Sequence, residues 1–388
     1  MSTTVETSTP RKTALNAVHR AMGAKMVDFN GWDMPVEYPP AGDRKSGGLI
    51  AEHMAVRNGV GIFDVSHMGD IRVHGPEALA AIQHICMNDA SKLNAGQAQY
   101  SAMLYPQGTF VDDVIVHKMA DDDYLIVINA GTREKDYNWV RDNARGFNCE
   151  VNDLSDNFTQ IAIQGPKGVD VLQKLTDADL SKVKFYWFTY GTVCGLKNIM
   201  IARTGYTAED GFEIYVPNDE DTSAMVWNKV MEAGEEFGCL PCGLGARNTL
   251  RLEGKLPLYG HEISDTINVW EAGLDRFIKM EKQEFTGKEA LAKAKEDGVQ
   301  RTLIGLEMVD RGIARDGYKV LNSNGTEIGY VTSGSPAPFL KKNIALAYVP
   351  PSHSGVDGEL AVEIRGQAVK AKVVPTPFYK KPKKVVST

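Results

Sequence analysis

The chain has 388 residues, of which 43% are hydrophobic and 24% charged, and its formal net charge is −7. It is too long for one ordinary hydrophobic core, so we expect several packed units. We expect no nucleic-acid partner, because Asp and Glu outnumber Lys and Arg by 50 to 43 and no basic block stands before the last few residues. We also expect no membrane partner, because no apolar run approaches the roughly 18–20 residues that span a bilayer.

The first residues and the cysteines bear on location. Residues 1–12 are polar and lack an apolar segment, so we interpret them as a flexible extension and not as a targeting peptide. The five cysteines are odd in number and scattered, which favours a reducing cytoplasm. Cys239 and Cys242 form a C-x-x-C pair, but no second ligand pair follows, so we predict no metal site.

A repeated unit follows. Arg72–Leu79 and Ala162–Val169 are similar, and in each a glycine ends a β-like run and a proline begins a helix. Three more β-like runs and a helix follow each copy: 99–105, 111–117, 124–129 and helix 132–145, then 184–190, 198–203, 212–216 and helix 222–237. We predict two related antiparallel α+β units, about residues 50–155 and 156–240, with a ligand cleft between them.

From about residue 299 the pattern changes to short alternating runs separated by Gly, Asn, Ser and Pro. The runs are 302–308, 318–321, 327–332, 344–349, 360–365 and 368–374. This spacing predicts a small closed β barrel or jelly roll. The predicted organisation is therefore an extension at 1–12, a region at 13–291 that holds the two related units, a barrel at 299–380 and a basic tail at 381–388.

Two adjacent acids, Asp112 and Asp113, lie inside an otherwise apolar β-like run. Asp is rare in strands and a buried carboxylate is costly without a partner, so the pair is a candidate binding or catalytic site. Because strand side chains alternate, Asp113 should share a face with Val111 and Ile115, while Asp112 points the other way. The alternative is that both acids cap a turn at the edge of a sheet.

Two later segments carry further candidates. Residues 203–213, which end on Glu213, form a loop dense in small and acidic residues, with a solvated hairpin as the alternative. Residues 243–253 predict a glycine-bracketed turn that opens a helix with Arg247 and Arg251 on one face. That arrangement suits a bound carboxylate, unless one arginine pairs with Glu253 or another acid.

Other signals are weaker. No Walker A, H-E-x-x-H or G-x-S-x-G pattern is found. His67 is more simply interpreted as a hydrogen-bonded structural residue than as a base. The residues alone predict a cleft that recognises a polar, carboxylated small molecule rich in N–H groups.

Six segments, in order and at similar spacing, resemble motifs of the glycine cleavage T-protein family. They are Asp28–Pro35, Phe63–Gly69, the strand with Asp112 and Asp113, Arg203–Glu213, Gly243–Arg247 and Gly287–Leu291. The resemblance extends from about residue 13 to residue 379. It implies three domains in a cloverleaf around a central hole, which agrees with two α+β units and a barrel.

The resemblance also implies an activity. Members of the family transfer the one-carbon methylene of an aminomethyl group from the dihydrolipoyl arm of a lipoylated H protein to tetrahydrofolate, without a metal. The products are 5,10-methylenetetrahydrofolate and ammonia. The alternatives are a related folate-dependent demethylase and a non-catalytic folate-binding protein.

By the same resemblance, Asp113 is the catalytic carboxylate, placed at the folate N10 to orient that nitrogen and to stabilise developing positive charge. Glu213 would hydrogen-bond the pterin ring. The other folate-binding residues that the resemblance implies are Met68, Tyr100, Asn129, Tyr186, Tyr206, Arg247 and Lys384. Many relatives have Asp where this chain has Asn248, so the partner that orients Arg247 is left open.

Overall fold

The computed structural model describes residues 9–42 and 44–382 of the chain. The first segment folds into one small sheet beside two helices. An Asn30-Gly31 turn with positive φ at both residues joins its two strands, as tight hairpins require. The elements are α1 (Asn16–Ala21), β1 (Lys25–Phe29), β2 (Trp32–Glu37) and α2 (Leu49–Asn58).

A five-stranded antiparallel sheet, called the first sheet, carries the first copy of the repeat. Its elements are β4 (Gly69–His74), α3 (Ala78–Ile85), β5 (Ala98–Leu104), β6 (Phe110–Ala120), β7 (Asp123–Ile128), α4 (Arg133–Asn143) and β8 (Glu150–Asp153). The strand order is β5-β6-β7-β4-β8. Helices α3 and α4 cover one face, where Ile82 and Val140 pack against Val114 and Val116. The other face of the first sheet packs against the second unit.

The second sheet carries the second copy of the repeat. Its elements are β3 (Gly61–Asp64), β9 (Phe158–Gln164), α5 (Gly168–Gln173), β10 (Phe188–Val193), β11 (Leu196–Ala202), β12 (Gly211–Pro217), α6 (Glu220–Gly234) and β13 (Leu240–Pro241). The strand order is β10-β11-β12-β9-β3-β13, and β13 runs parallel to β3. Val171 of α5 and Trp227 of α6 pack on its covered face.

One strand departs from the predicted division of the two units. The predicted first unit begins at about residue 50, yet β3 pairs with β9 of the second sheet. All four residues of β3 are buried, and β9 and β13 satisfy its two edges. Segment 61–64 therefore belongs with the second sheet, while the remaining domain boundaries stay predictions.

The two sheets face each other across a shared apolar layer. Leu125 and Val127 of the first sheet pack against Phe188, Met200 and Tyr215 of the second. Backbone hydrogen bonds between segments 96–98 and 186–188 also join the two units. Val127 of this layer also lines the pocket between the sheets.

The last part of the chain is a closed barrel of six strands in the order β14-β17-β16-β15-β18-β19. Its strands overlap the six predicted runs, and β16 extends beyond its run. They are β14 (Thr302–Met308), β15 (Lys319–Leu321), β16 (Glu327–Ala337), β17 (Lys342–Val349), β18 (Glu359–Ile364) and β19 (Gln367–Val374). Helices α7 (Leu244–Glu253) and α8 (Lys288–Asp297) precede it. The predicted fold class, α+β with two related units and a C-terminal barrel, is confirmed. In the described ranges, no helix is long and apolar enough to span a bilayer.

Candidate active site

A pocket opens between the two sheets beside α7. Eight of the nine predicted site residues line it: Met68, Tyr100, Asp113, Asn129, Tyr186, Tyr206, Glu213 and Arg247. The ninth, Lys384, lies outside the described residues. Sequence reasoning missed Gln160 and Pro257, which also line the pocket. They are near the others only in the folded chain.

Two neutral donors hold Asp113. Tyr100 Oη donates to Asp113 Oδ2 at 3.0 Å, and Asn129 Nδ2 donates to Oδ1 at 2.9 Å. Burial raises the pKa of Asp113 and the charge of Asp112 raises it further, whereas the two hydrogen bonds lower it. Asp112 and Asp113 lie inside β6 and pair with Met103 and Ala102 of β5, so the alternative that they cap a turn at the sheet edge is wrong. Asp113 is an oriented carboxylate inside the sheet.

A β-bulge changes the predicted alternation. The pairing of β6 with β5 shifts by one residue at Val111, which is left over in the ladder. Val111 therefore packs in the core with Val114 and Val116, and not on the face of Asp113. Asp113 and Ile115 do share the pocket face, as predicted. The prediction that Val111 joins them is wrong because alternation fails across a bulge.

Asp112 is fully buried, yet it is not independent of Asp113. Its Oδ1 accepts hydrogen bonds from Asn129 Nδ2 at 2.8 Å and from the Asp113 backbone N–H at 2.9 Å. Asn129 therefore bridges both acids with one amide nitrogen. The two carboxylates extend from the strand in different directions, and the shared donor Asn129 Nδ2 links them.

The loop between β11 and β12 is ordered. Arg203 donates to both carboxylate oxygens of Asp210, at 2.9 and 2.6 Å. A Cβ at Gly205 would lie 2.0 Å from Gln164 Oε1, so a larger residue there would displace the buried Gln164 amide. The alternative of a solvated hairpin is wrong, because the loop is packed against β9.

Glu213 is the third residue of β12, and its side chain lines the pocket. Thr204 Oγ1 donates to Oε2, and no donor in the described part of the chain reaches Oε1. Burial raises the pKa of Glu213, while the Thr204 hydrogen bond and the Arg247 charge lower it. Glu213 thus presents one acceptor oxygen to a ligand.

Tyr186 enters the pocket from a strained position. Its φ is +61°, in the left-handed region that residues with a side chain seldom adopt. Its backbone N–H donates to the Arg203 carbonyl at 3.0 Å, and its carbonyl accepts from the Ala98 N–H at 2.8 Å. These two bonds fix the backbone of Tyr186 in this conformation. Strained backbone conformations are common at functional sites.

The two arginines of α7 have different roles. Arg251 is buried and its Nη1 lies 2.7 Å from Glu262 Oε2, while Asn248 Oδ1 accepts from its Nε at 2.9 Å. Arg247 stacks on the Tyr206 ring at 4.4 Å, and its guanidinium makes no hydrogen bond within residues 9–42 and 44–382. Asn248 therefore orients Arg251 and not Arg247. Arg247 is the arginine free to bind an anion.

His67 lies in a neighbouring cavity that shares Met68, Asn129 and Arg247 with the pocket. The ring is buried, and neither nitrogen has a hydrogen-bond partner among the described residues. Burial and the Arg247 charge together lower the pKa of His67 to about 3, so the ring is neutral. The predicted hydrogen-bonded structural histidine is wrong on this point. In the described ranges, no cluster of three His, Cys, Asp or Glu residues is placed to hold a metal ion.

Comparisons with known proteins cover almost the whole chain. The family model of the GCVT N-terminal domain matches residues 15–282, and that of the glycine cleavage T-protein C-terminal barrel domain matches residues 301–380. An aminomethyltransferase of Koribacter versatilis is 75% identical over 374 residues, which are 96% of this chain and 97% of that protein. One of Acidobacterium capsulatum is 67% identical over 98% of this chain and 100% of its own length. The crystal structure of glycine cleavage system aminomethyltransferase T from Bartonella henselae is similar with a TM-score of 0.88 at 31% identity, and covers 95% of this chain and 98% of that one.

Proposed function

The chain belongs to the glycine cleavage T-protein family of aminomethyltransferases, and from that premise we propose that it moves a methylene carbon from a lipoylated H protein to tetrahydrofolate. The resemblance carried by six sequence motifs is confirmed. In the proposed reaction the amine leaves as ammonia, two folate nitrogens bond the carbon, and sulfur is released as the thiol of the dihydrolipoyl arm. The observation that carries the proposal is Asp113, oriented by Tyr100 and Asn129 in a pocket that also presents Glu213 and Arg247.

The pocket has the chemistry to recognise a folate. A 2-amino-pterin edge presents parallel N–H donors, and the unpaired Oε1 of Glu213 supplies an acceptor for them. The Arg247 N–H groups, which have no hydrogen-bond partner among residues 9–42 and 44–382, can donate to a carboxylate or carbonyl oxygen. The rings of Tyr100, Tyr186 and Tyr206 line the same pocket and suit flat heterocycles.

Asp113 would act as a fixed negative charge. As ammonia leaves the methylene, the carbon gains positive charge, and a nearby carboxylate stabilises it. Tyr100 and Asn129 already orient that carboxylate, so little reorganisation is needed during the reaction. The ionised form is the active one, so we expect turnover to rise with pH as Asp113 loses its proton.

A cytoplasmic location is part of the proposal. All five cysteines are free, and three of them are buried. Free thiols persist in a reducing compartment, which supports this location.

The test is an ammonia assay. We expect the purified chain to release ammonia from aminomethyl-loaded H protein, and to do so faster when tetrahydrofolate is present. Folate binding without ammonia release would favour a folate-binding protein instead. Turnover of N-methylated small molecules, with none of loaded H protein, would favour a folate-dependent demethylase.

A further inference from the structure

A short 3-10 turn, Asp275–Phe277, packs beside the pocket. The Phe277 ring contacts the ring of Tyr100, which donates to Asp113, and the two ring centroids are 4.6 Å apart. The guanidinium of Arg276 stacks on the Phe277 ring at 4.4 Å, and the side chain is exposed. Within residues 9–42 and 44–382 this guanidinium makes no hydrogen bond and no ion pair. Arg276 therefore places an unpaired positive charge beside the part of the pocket that holds Asp113.

A second cation, Lys255, reaches the same segment from the end of α7. Its φ is +52°, a conformation that glycine usually takes after a helix, and its backbone N–H donates to the Leu252 carbonyl at 3.0 Å. Its Nζ lies 3.7 Å from the point that a Cβ on Gly273 would occupy, so the side chain extends toward segment 273–277. The half-buried ammonium has no hydrogen-bond or ion-pair partner among the described residues. Leu256, the next residue, lines the pocket.

The two cations act on each other. Burial lowers the pKa of Lys255 and the Arg276 charge adds to that effect, whereas the exposed Asp275 opposes it. Neighbouring like charges repel, and an anion bound beside them relieves that repulsion. The chain as a whole has a net charge of −7, so this pair is a local concentration of positive charge. The pair therefore suits a ligand group that carries several negative charges.

We propose that Lys255 and Arg276 form an anion site at the pocket rim, which binds carboxylates of the folate glutamate tail and favours folates that carry more than one glutamate. This inference rests on the function proposed above. In that function Glu213 meets the pterin and Asp113 meets N10, so the tail lies beyond Asp113 as seen from Glu213. Arg276 is on the Asp113 side, through the contacts of the Tyr100 ring. Each added glutamate brings one more carboxylate, and a guanidinium can bind a carboxylate through two N–H groups.

The pocket meets solvent on the side where the tail would leave. Tyr186 lines the pocket, and the ring of its neighbour Phe185, which packs edge-on against it at 4.7 Å, is 57% exposed. The Arg276 charge reaches Tyr186, whose pKa it lowers in part. A flexible tail can therefore extend from the aromatic rings of the pocket to the two cations without entering the core.

Equilibrium binding of the monoglutamate and tetraglutamate forms of tetrahydrofolate tests the site without turnover. We expect the original chain to bind the tetraglutamate form about tenfold more tightly at low salt, and less so at high salt, because salt screens exposed charges. Lys255→Gln and Arg276→Gln should each reduce this preference about threefold, and the double variant should abolish it. Lys255→Arg keeps the charge and should keep the preference. Lys293→Gln, which removes an exposed cation of α8, is the matched control and should leave the preference unchanged.

Three results would overturn the inference while the proposed function stands. They are equal affinity of the original chain for the two forms, a preference that persists in the double variant, and an equal loss of preference in Lys293→Gln. If Lys255→Gln does not fold, Arg276→Gln decides, because it changes an exposed side chain. Failure of the original chain to bind even the monoglutamate form would instead contradict the proposed function, and the inference with it.

Discussion

The two related units contribute different chemistry to one pocket. In the first sheet the pocket acid is Asp113, on β6, which is second in the order of strands across the sheet. It lies beside a bulge, and its backbone N–H donates to the buried Asp112. In the second sheet it is Glu213, on the third strand, held by Thr204 near the Arg247 charge. The same scaffold thus places a charge cluster on one side and a recognition group on the other. Substitutions on the two sides should affect different kinetic parameters.

The largest effect should come from Asp113→Asn. Loss of the carboxylate removes the charge that stabilises the transferred carbon, so kcat should fall by about 10²–10⁴. Folate binding should be largely retained, because Tyr100, Glu213 and Arg247 remain. Steady-state ammonia release and equilibrium folate binding measure the two quantities. Asp122→Asn, in the exposed turn after the same strand, is the control.

Glu213→Gln, in the second sheet, should mainly weaken the binding of tetrahydrofolate. The neutral amide cannot offer the charged acceptor oxygen that the carboxylate presents, so KM for tetrahydrofolate should rise roughly tenfold, with kcat changed less. Glu220→Gln, exposed at the start of α6, serves as the reference. A fall in kcat with KM unchanged would mean that Glu213 does not serve recognition.

Asp112→Asn should lower kcat less than Asp113→Asn does, and it should shift the acidic limb of the pH–rate profile to lower pH. The Asp112 charge raises the pKa of Asp113, so its removal lowers that pKa and activity should persist to lower pH. We expect a kcat loss of only about three- to tenfold, because Asn129 keeps its bond to Asp113. A pH–rate profile tests this. A shift of the acidic limb to higher pH would contradict it.

The last effect is on stability and not on rate, where the two sheets meet. Gln160 of β9 donates to Asp70 Oδ2 at 2.5 Å, while Oδ1 has no described partner. Burial raises the pKa of Asp70 to about 8, so its contribution to stability is greatest below the unfolded pKa and is lost as pH rises toward 8. Asp70→Asn should remove that loss, which is at most about 1.4 kcal/mol per pH unit. Urea unfolding from pH 5 to 8.5 measures it, and parallel curves for the two proteins would contradict it.

Much of the architecture was predictable because it follows local patterns. Alternating runs and Gly-Pro punctuation predicted the two sheets, and evenly spaced short runs predicted the barrel. Gly75 and Gly165 both have φ +130°, so the repeat reflects the same backbone requirement in both units. Structural features that depend only on neighbouring residues in the chain can be predicted from the sequence.

The site was less predictable where its geometry depends on contacts between residues that are far apart in the sequence. The bulge at Val111 depends on pairing with β5, and the roles of Arg247 and Arg251 depend on Glu262, which α7 reaches only in the fold. Asp136 looks in sequence like an ordinary acid of a first helical turn, which the helix dipole favours. Its complete burial follows only from the packing of α4 in the folded chain.

The most direct test of the division between the two sides measures both parameters on both variants. Ammonia release from loaded H protein and folate affinity would be determined side by side for Asp113→Asn and Glu213→Gln. We expect a crossed result: Asp113→Asn binds folate but does not turn over, and Glu213→Gln binds weakly but turns over when folate is saturating. Loss of the same parameter in both variants would contradict it.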